Sequence, residues 1–79
     1  MKVTHKKIYR KFSLYIDGKL HLDFKIDLYA GLQSWFEGPD SNRLYFIEIY
    51  LKEVVDPILL EYTNVKVWDR VLAEIDKYL

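Results

Sequence analysis

Between Lys19 and Tyr29 the chain reads KLHLDFKIDLY, with Leu20, Leu22, Phe24, Ile26 and Leu28 at every second position and Lys19, His21, Asp23, Lys25 and Asp27 between them. Successive side chains of a strand point to opposite faces, so the run has one apolar face and one polar face. It is expected to form an antiparallel strand buried on one side only. The rest of the chain must then supply its pairing partners and its cover.

Lys7 to Ile16 (KIYRKFSLYI) alternates as well: Ile8, Phe12, Leu14 and Ile16 share one face, and Tyr9, Lys11, Ser13 and Tyr15 share the other. Asp17-Gly18 signals a hairpin between the two runs. A two-residue loop would oppose Leu14 to His21 and Phe12 to Asp23, and directly opposed residues share a face. The apolar sets match only across an odd-length loop. With Ile16-Asp17-Gly18 as the loop, Gly18 takes the left-handed position of a G1 bulge. That register pairs Leu14 with Leu20, Phe12 with Leu22, Ser13 with His21 and Lys11 with Asp23. The alternative, Asp17-Gly18-Lys19, sets Lys11 against Lys25 and forces Lys19 left-handed at a cost of about 1–2 kcal/mol. The first loop is preferred.

Residues 30–42 are the least regular part. Gly31, Gly38, Pro39, Asp40, Ser41 and Asn42 are turn formers, yet Leu32, Trp35 and Phe36 are too apolar for a plain connection. Either Gln33 to Glu37 is a short extra strand, or the segment is a flap that lays its aromatics over the sheet. Arg43 to Lys52 (RLYFIEIYLK) alternates with Tyr45, Ile47, Ile49 and Leu51 on one face. Leu44, Phe46, Glu48, Tyr50 and Lys52 make the other, so this strand is apolar on both sides for much of its length. Val54-Val55-Asp56-Pro57 reads as a turn and Ile58 to Thr63 as a further strand. Beyond an N-cap at Thr63-Asn64 the period changes to 3.6, with Trp68, Val71, Leu72, Ile75 and Leu79 on one stripe and Tyr78 beside it. Arg70 and Glu74 on the outer face form an expected i,i+4 pair. The fold class is α+β: a two-layer ββββα domain, with a four-stranded (five with the extra strand) antiparallel meander sheet and one C-terminal helix packed on one face.

The 79 residues make a single domain, 1–79, with 1–6 expected as a basic, mobile N-terminal arm. A core this small rarely supplies more than about 3–5 kcal/mol without a staple. The chain has no cysteine and two histidines, which excludes disulfides and thiolate metal sites and leaves no metal or other cofactor to expect. Self-association is the remaining staple, so a homodimer is expected. No apolar stretch has the length of a signal peptide or of a membrane span, which needs about 20 residues. With cysteine absent, the cytoplasm is the expected compartment and no membrane partner is expected.

The net charge is zero but unevenly spread: Lys2, Lys6, Lys7, Arg10 and Lys11 precede Phe12 with no acid among them, and all twelve acids lie from Asp17 onward. Lys6, Lys7, Arg10 and Lys11 are therefore candidates for binding an anion. Catalytic signals are thin. Ser13 opposite His21, with Asp23 next on the same face, assembles the residue types of a hydrolytic triad. An open sheet face, however, offers neither an oxyanion hole nor a buried orienting carboxylate. Asp23, Asp27, Glu37, Asp40 and Glu48 have little chain around them with which to build a cleft. No enzyme is expected.

The aromatics say more: seven Tyr, four Phe and two Trp, of which the sheet and helix core account for Phe12, Phe24, Tyr45 and Trp68. Tyr9, Tyr15, Phe46 and Tyr50 fall on the other face of their strands, and Trp35 and Phe36 lie in the irregular segment. These six are the candidate interface, because aromatic side chains bring an apolar body to an interface and Tyr and Trp add a polar handle. The expected function is a small non-enzymatic protein-binding domain acting as a homodimer. The alternative is a single-stranded nucleic-acid binder that combines the basic arm with sheet aromatics. Ile58 through Leu79, a strand leading into a helix with an early Trp68, resembles the corresponding segment of the whirly-like transcriptional-coactivator family. That family has four antiparallel strands before a C-terminal helix and binds single-stranded DNA as dimers, so the resemblance implies that plan and that partner. The acidic body beyond Phe12 would repel a phosphate backbone.

Overall fold

The structure, a computed structural model, describes Met1–Leu79. Six strands and one helix follow in the order β1 Val3–Ile8, β2 Lys11–Ile16, β3 Lys19–Lys25, β4 Tyr29–Glu37, β5 Leu44–Leu51, β6 Ile58–Tyr62 and α1 Val65–Tyr78. The class is α+β, but the sheet is not one four-stranded meander. The strands form two antiparallel three-stranded sheets, β1-β2-β3 and β4-β5-β6. The four-strand plan behind the whirly-like resemblance is therefore not the plan of this chain.

The extra strand in the first sheet comes from a break inside KIYRKFSLYI. Tyr9 adopts φ 58°, and Tyr9-Arg10 turn the chain back so that Ile8 pairs with Lys11. Arg10 stands in the apolar row between Ile8 and Phe12, and a charged residue at an inward position marks the point where one strand becomes two. The first residues become β1 rather than a separate arm, and Val3 is buried in the core.

The β2–β3 hairpin corrects the preferred register. Asp17 (φ 50°) and Gly18 (φ 81°) form a two-residue turn of the I′ kind, with Ile16 opposite Lys19 and Tyr15 opposite Leu20. His21 is then an extra residue in the ladder, and beyond it Leu14 faces Leu22, Phe12 faces Phe24 and Lys11 faces Lys25. The parity mismatch is solved by a bulge inside the strand, not by an odd-length loop. The bulge turns Leu20 outward, to 57% exposure, and brings His21 against Tyr62. The like charges of Lys11 and Lys25 are tolerated because Lys11 Nζ reaches diagonally to Asp23 Oδ2 at 2.8 Å. That bond holds the ammonium's pKa above its usual value.

In the second sheet the expected short strand lengthens into β4, which pairs along all of β5 apart from a bulge at Ala30. β5 is central, as its doubly apolar pattern requires. The 3.6-residue period gives α1, with the Asn64 side chain accepting from the Lys66 N–H at 2.8 Å. The helix packs against β1, β5 and β6 and so joins the two sheets. Phe12, Leu14, Leu22, Phe24, Ile47, Ile49, Tyr62, Val71 and Ile75 meet in one core. Glu74 does not pair with Arg70; its carboxylate lies 2.7 Å from His5 Nδ1 on β1 and 3.7 Å from Lys77 Nζ.

Candidate interaction surface of the second sheet

β5 alternates across its sheet, so Ile47 and Ile49 enter the core while Phe46, Glu48 and Tyr50 point the other way. On that outer face Trp35 of β4 lies directly opposite Phe46, and the two rings stack with centroids 5.1 Å apart and planes 16° apart. Phe46 is only 8% exposed as a result. Behind it, Trp68 Nε1 donates to the Phe46 carbonyl at 2.9 Å, tying the helix to the centre of the sheet. Beside the stack lies a polar trio. Gln33 Nε2 donates to Glu48 Oε1 at 2.9 Å and to the Tyr50 hydroxyl at 2.7 Å, and Tyr50 donates in turn to Glu48. That last hydrogen bond, more than desolvation, raises the pKa of Tyr50. Leu59 of β6 pairs with Glu48 and is 55% exposed. The face therefore has an aromatic centre, a hydrogen-bonded polar flank and an apolar rim.

Phe36 sits on the opposite face of β4, opposite Tyr45. It is 53% exposed, with the Arg43 guanidinium 4.4 Å from its ring centre. Arg43 is held by an ion pair with Asp40 and by Nε donating to the Gly38 carbonyl at 3.2 Å. Along the same side runs an open groove of about 410 Å³ between β4 and α1, lined by Tyr29, Leu32, Leu72, Ala73, Ile75, Asp76 and Leu79. The sequence pattern assigns Leu72 to the helix core stripe but holds no sign that β4 stops short of the helix and leaves this groove open.

Of the six aromatics singled out from sequence, the structure unites Trp35, Phe46 and Tyr50 on one face of one sheet. Tyr9 and Tyr15 belong to the first sheet, Tyr9 at the tip of the β1–β2 hairpin and Tyr15 on β2. The four candidate anion-binding residues all have neighbours of their own. Arg10 pairs with Asp27 at 3.0 Å and Lys11 with Asp23, while Lys6 and Lys7 sit 5.5 and 5.8 Å from the rings of Tyr15 and Tyr78.

The would-be triad is dispersed. Ser13 opposes Asp23, and His21 Nε2 lies 2.6 Å from the Tyr62 hydroxyl. Burial lowers the pKa of His21 and raises that of Tyr62. No group of three or more His, Asp or Glu side chains is placed to hold a metal ion, and no helix is long and apolar enough to cross a membrane. The chain matches no protein-family model, no curated protein and no solved structure.

Proposed function

We infer that this chain is a small non-enzymatic protein-binding domain that acts as a homodimer, in the cytoplasm or another reducing compartment. The observation that carries the reading is the outer face of the second sheet. It presents Trp35, Tyr50 and Leu59 around a buried Phe46 on the side of β5 away from the core. Aromatics flanked by satisfied polar groups are what protein interfaces favour. Sedimentation equilibrium at micromolar concentration tests it: a dimer is expected, and a clean monomer would end the homodimer reading.

A second reading, binding of single-stranded nucleic acid, has one observation in its favour. Tyr9 is 92% exposed on a hairpin tip beside Arg10, Lys11 and Lys25, an aromatic with basic neighbours of the kind that stacks on bases. The internal partners of Lys6, Lys7, Arg10 and Lys11 weigh against it. Titration of a labelled oligonucleotide at low and high salt decides the matter, and the absence of salt-dependent binding retires the idea.

A further inference from the structure

A sheet edge is a row of backbone donors and acceptors that will pair with another strand unless something blocks it. Two three-stranded sheets have four edges, and three of them here carry blocks. β1 bears Lys6 and Lys7; β3 bears Lys19, Asp23 and Lys25 and the bulge at His21; β6 is five residues long, follows Pro57 and bears Glu61. β4 is nine residues long, contains no proline and no lysine, and has a single charge, Glu37, at its last position. Its ladder with β5 is interrupted only at Ala30, so Gly31–Glu37 is a regular, unblocked edge.

We propose that this edge is the dimer contact: β4 of one copy pairs antiparallel with β4 of a second copy about a two-fold axis at Ser34, and Phe36 enters the groove between β4 and α1 of the other copy. The proposal rests on the homodimer reading and moves its contact from the outer face to the β4 edge, leaving Tyr50 and Leu59 on the outer face open to a protein partner.

Ser34 is the midpoint of the regular stretch Gly31–Glu37. Opposed residues share a face, so an axis there sets Ser34 against Ser34, Trp35 against Gln33, Phe36 against Leu32 and Glu37 against Gly31 of the second copy. No like charges are opposed, and the chain's net charge of zero adds no repulsion between copies. Leu32 lines the apolar groove, so the half-exposed Phe36 meets an open apolar surface on its own side of the sheet. The chain presents 5553 Å² to solvent, and a standard interface of about 800 Å² per partner is roughly one seventh of that. A strand edge alone is too narrow to bury so much. Phe36 with the groove on one side, and Trp35 on the other, supply the flanks. The two sheets would then run on as one, carrying the Trp35–Phe46 face across the axis.

The chain has no cysteine, so a single introduced cysteine reports on one position. Opposed Cα atoms lie about 4.5–5.5 Å apart, within the reach of a disulfide. Ser34 is exposed, which keeps Ser34→Cys compatible with folding. Under mild oxidation Ser34→Cys is expected to form a disulfide-linked dimer in high yield, while Lys6→Cys on the β1 edge does not. Ser34→Lys, which places like charges on the axis, is expected to weaken dimerisation about tenfold or more with an unchanged far-ultraviolet circular dichroism spectrum. If the parent chain sediments as a dimer but Ser34→Cys cross-links no better than Lys6→Cys, the β4 contact is wrong and the homodimer reading stands. An undiminished Ser34→Lys dimer would likewise overturn the β4 contact alone. If the parent chain is monomeric, both fall.

Discussion

Alanine at Gly38 should cost this fold far more than alanine at Gly18, although both glycines sit at positive φ, +94° and +81°. A residue with a Cβ in left-handed conformation costs about 1–2 kcal/mol, and both variants bear that cost. At Gly18 the added methyl meets nothing within 4 Å, so the conformational cost is the whole of it. At Gly38 the methyl would lie 2.7 Å from the Asn42 carbonyl oxygen. That oxygen is main chain in a tight turn, where Asn42 N–H donates to the Pro39 carbonyl at 3.0 Å. Arg43 Nε also donates to the Gly38 carbonyl. Relief means shifting the connection that sets β4 against β5, which adds about 1–3 kcal/mol, the usual range for overpacking. The expected totals are about 1–2 kcal/mol for Gly18→Ala and about 2–5 kcal/mol for Gly38→Ala. Against roughly 4–12 kcal/mol for a chain of 79 residues, Gly18→Ala stays folded, whereas Gly38→Ala loses a large share of its margin or all of it. Urea unfolding followed by tryptophan fluorescence measures this directly. With m unchanged, the midpoint for Gly38→Ala should fall about twice as far as that for Gly18→Ala. Equal midpoints would refute the argument, because they would mean that the turn yields freely.

Three further outcomes follow from the packing and the hydrogen bonds. Phe12 is fully buried and packs 5.3 Å from Phe24 and 5.2 Å from Tyr78; Phe12→Ala should cost about 3–5 kcal/mol in the same urea assay, and a loss below about 1 kcal/mol would mean that the three rings do not form the centre of the first sheet's core. Trp68→Phe keeps an aromatic ring but removes part of the indole's bulk and the donor to the Phe46 carbonyl, for an expected loss of about 1–3 kcal/mol or more; a neutral result would mean that neither the bond nor the packing matters to the fold. Burial depresses the pKa of His21 below its ordinary 6.5, so the unfolded chain binds its proton more readily. Its contribution to stability is present above pH 6.5 and is lost as pH falls through the lower folded value. Melting temperatures taken between about pH 7.5 and pH 5 should fall more steeply for the parent than for His21→Gln, and parallel slopes would rule the histidine out.

Features fixed by near neighbours along the chain are legible in the sequence. The 3.6-residue period from Val65 onward and the Asn64 cap are set within one or two helical turns. The alternation of Arg43–Lys52, with both faces apolar, places a strand in the middle of a sheet whatever its neighbours are. Trp35, Phe46 and Tyr50 are legible as aromatics outside the core rows. That Trp35 stacks on Phe46 is not, because it depends on how β4 registers against β5. The groove beside Leu32 is equally hidden, since it exists only where helix and edge strand fail to meet.

The run from Lys19 to Tyr29 marks the division. By itself the sequence determined that Leu22 and Phe24 are buried, because strand geometry alone sends alternate side chains to one face. Tertiary structure decided that Leu20 is not, and that His21 lies against Tyr62. One unpaired residue in a ladder reverses the facing of everything on one side of it, and where that residue falls depends on which partner packs best. It decided too that Arg10 belongs to a turn, that Glu74 pairs with His5, and that the strands divide into two sheets. Each of these is a choice among distant segments, and an alternation of polar and apolar residues records which face is buried but not what buries it.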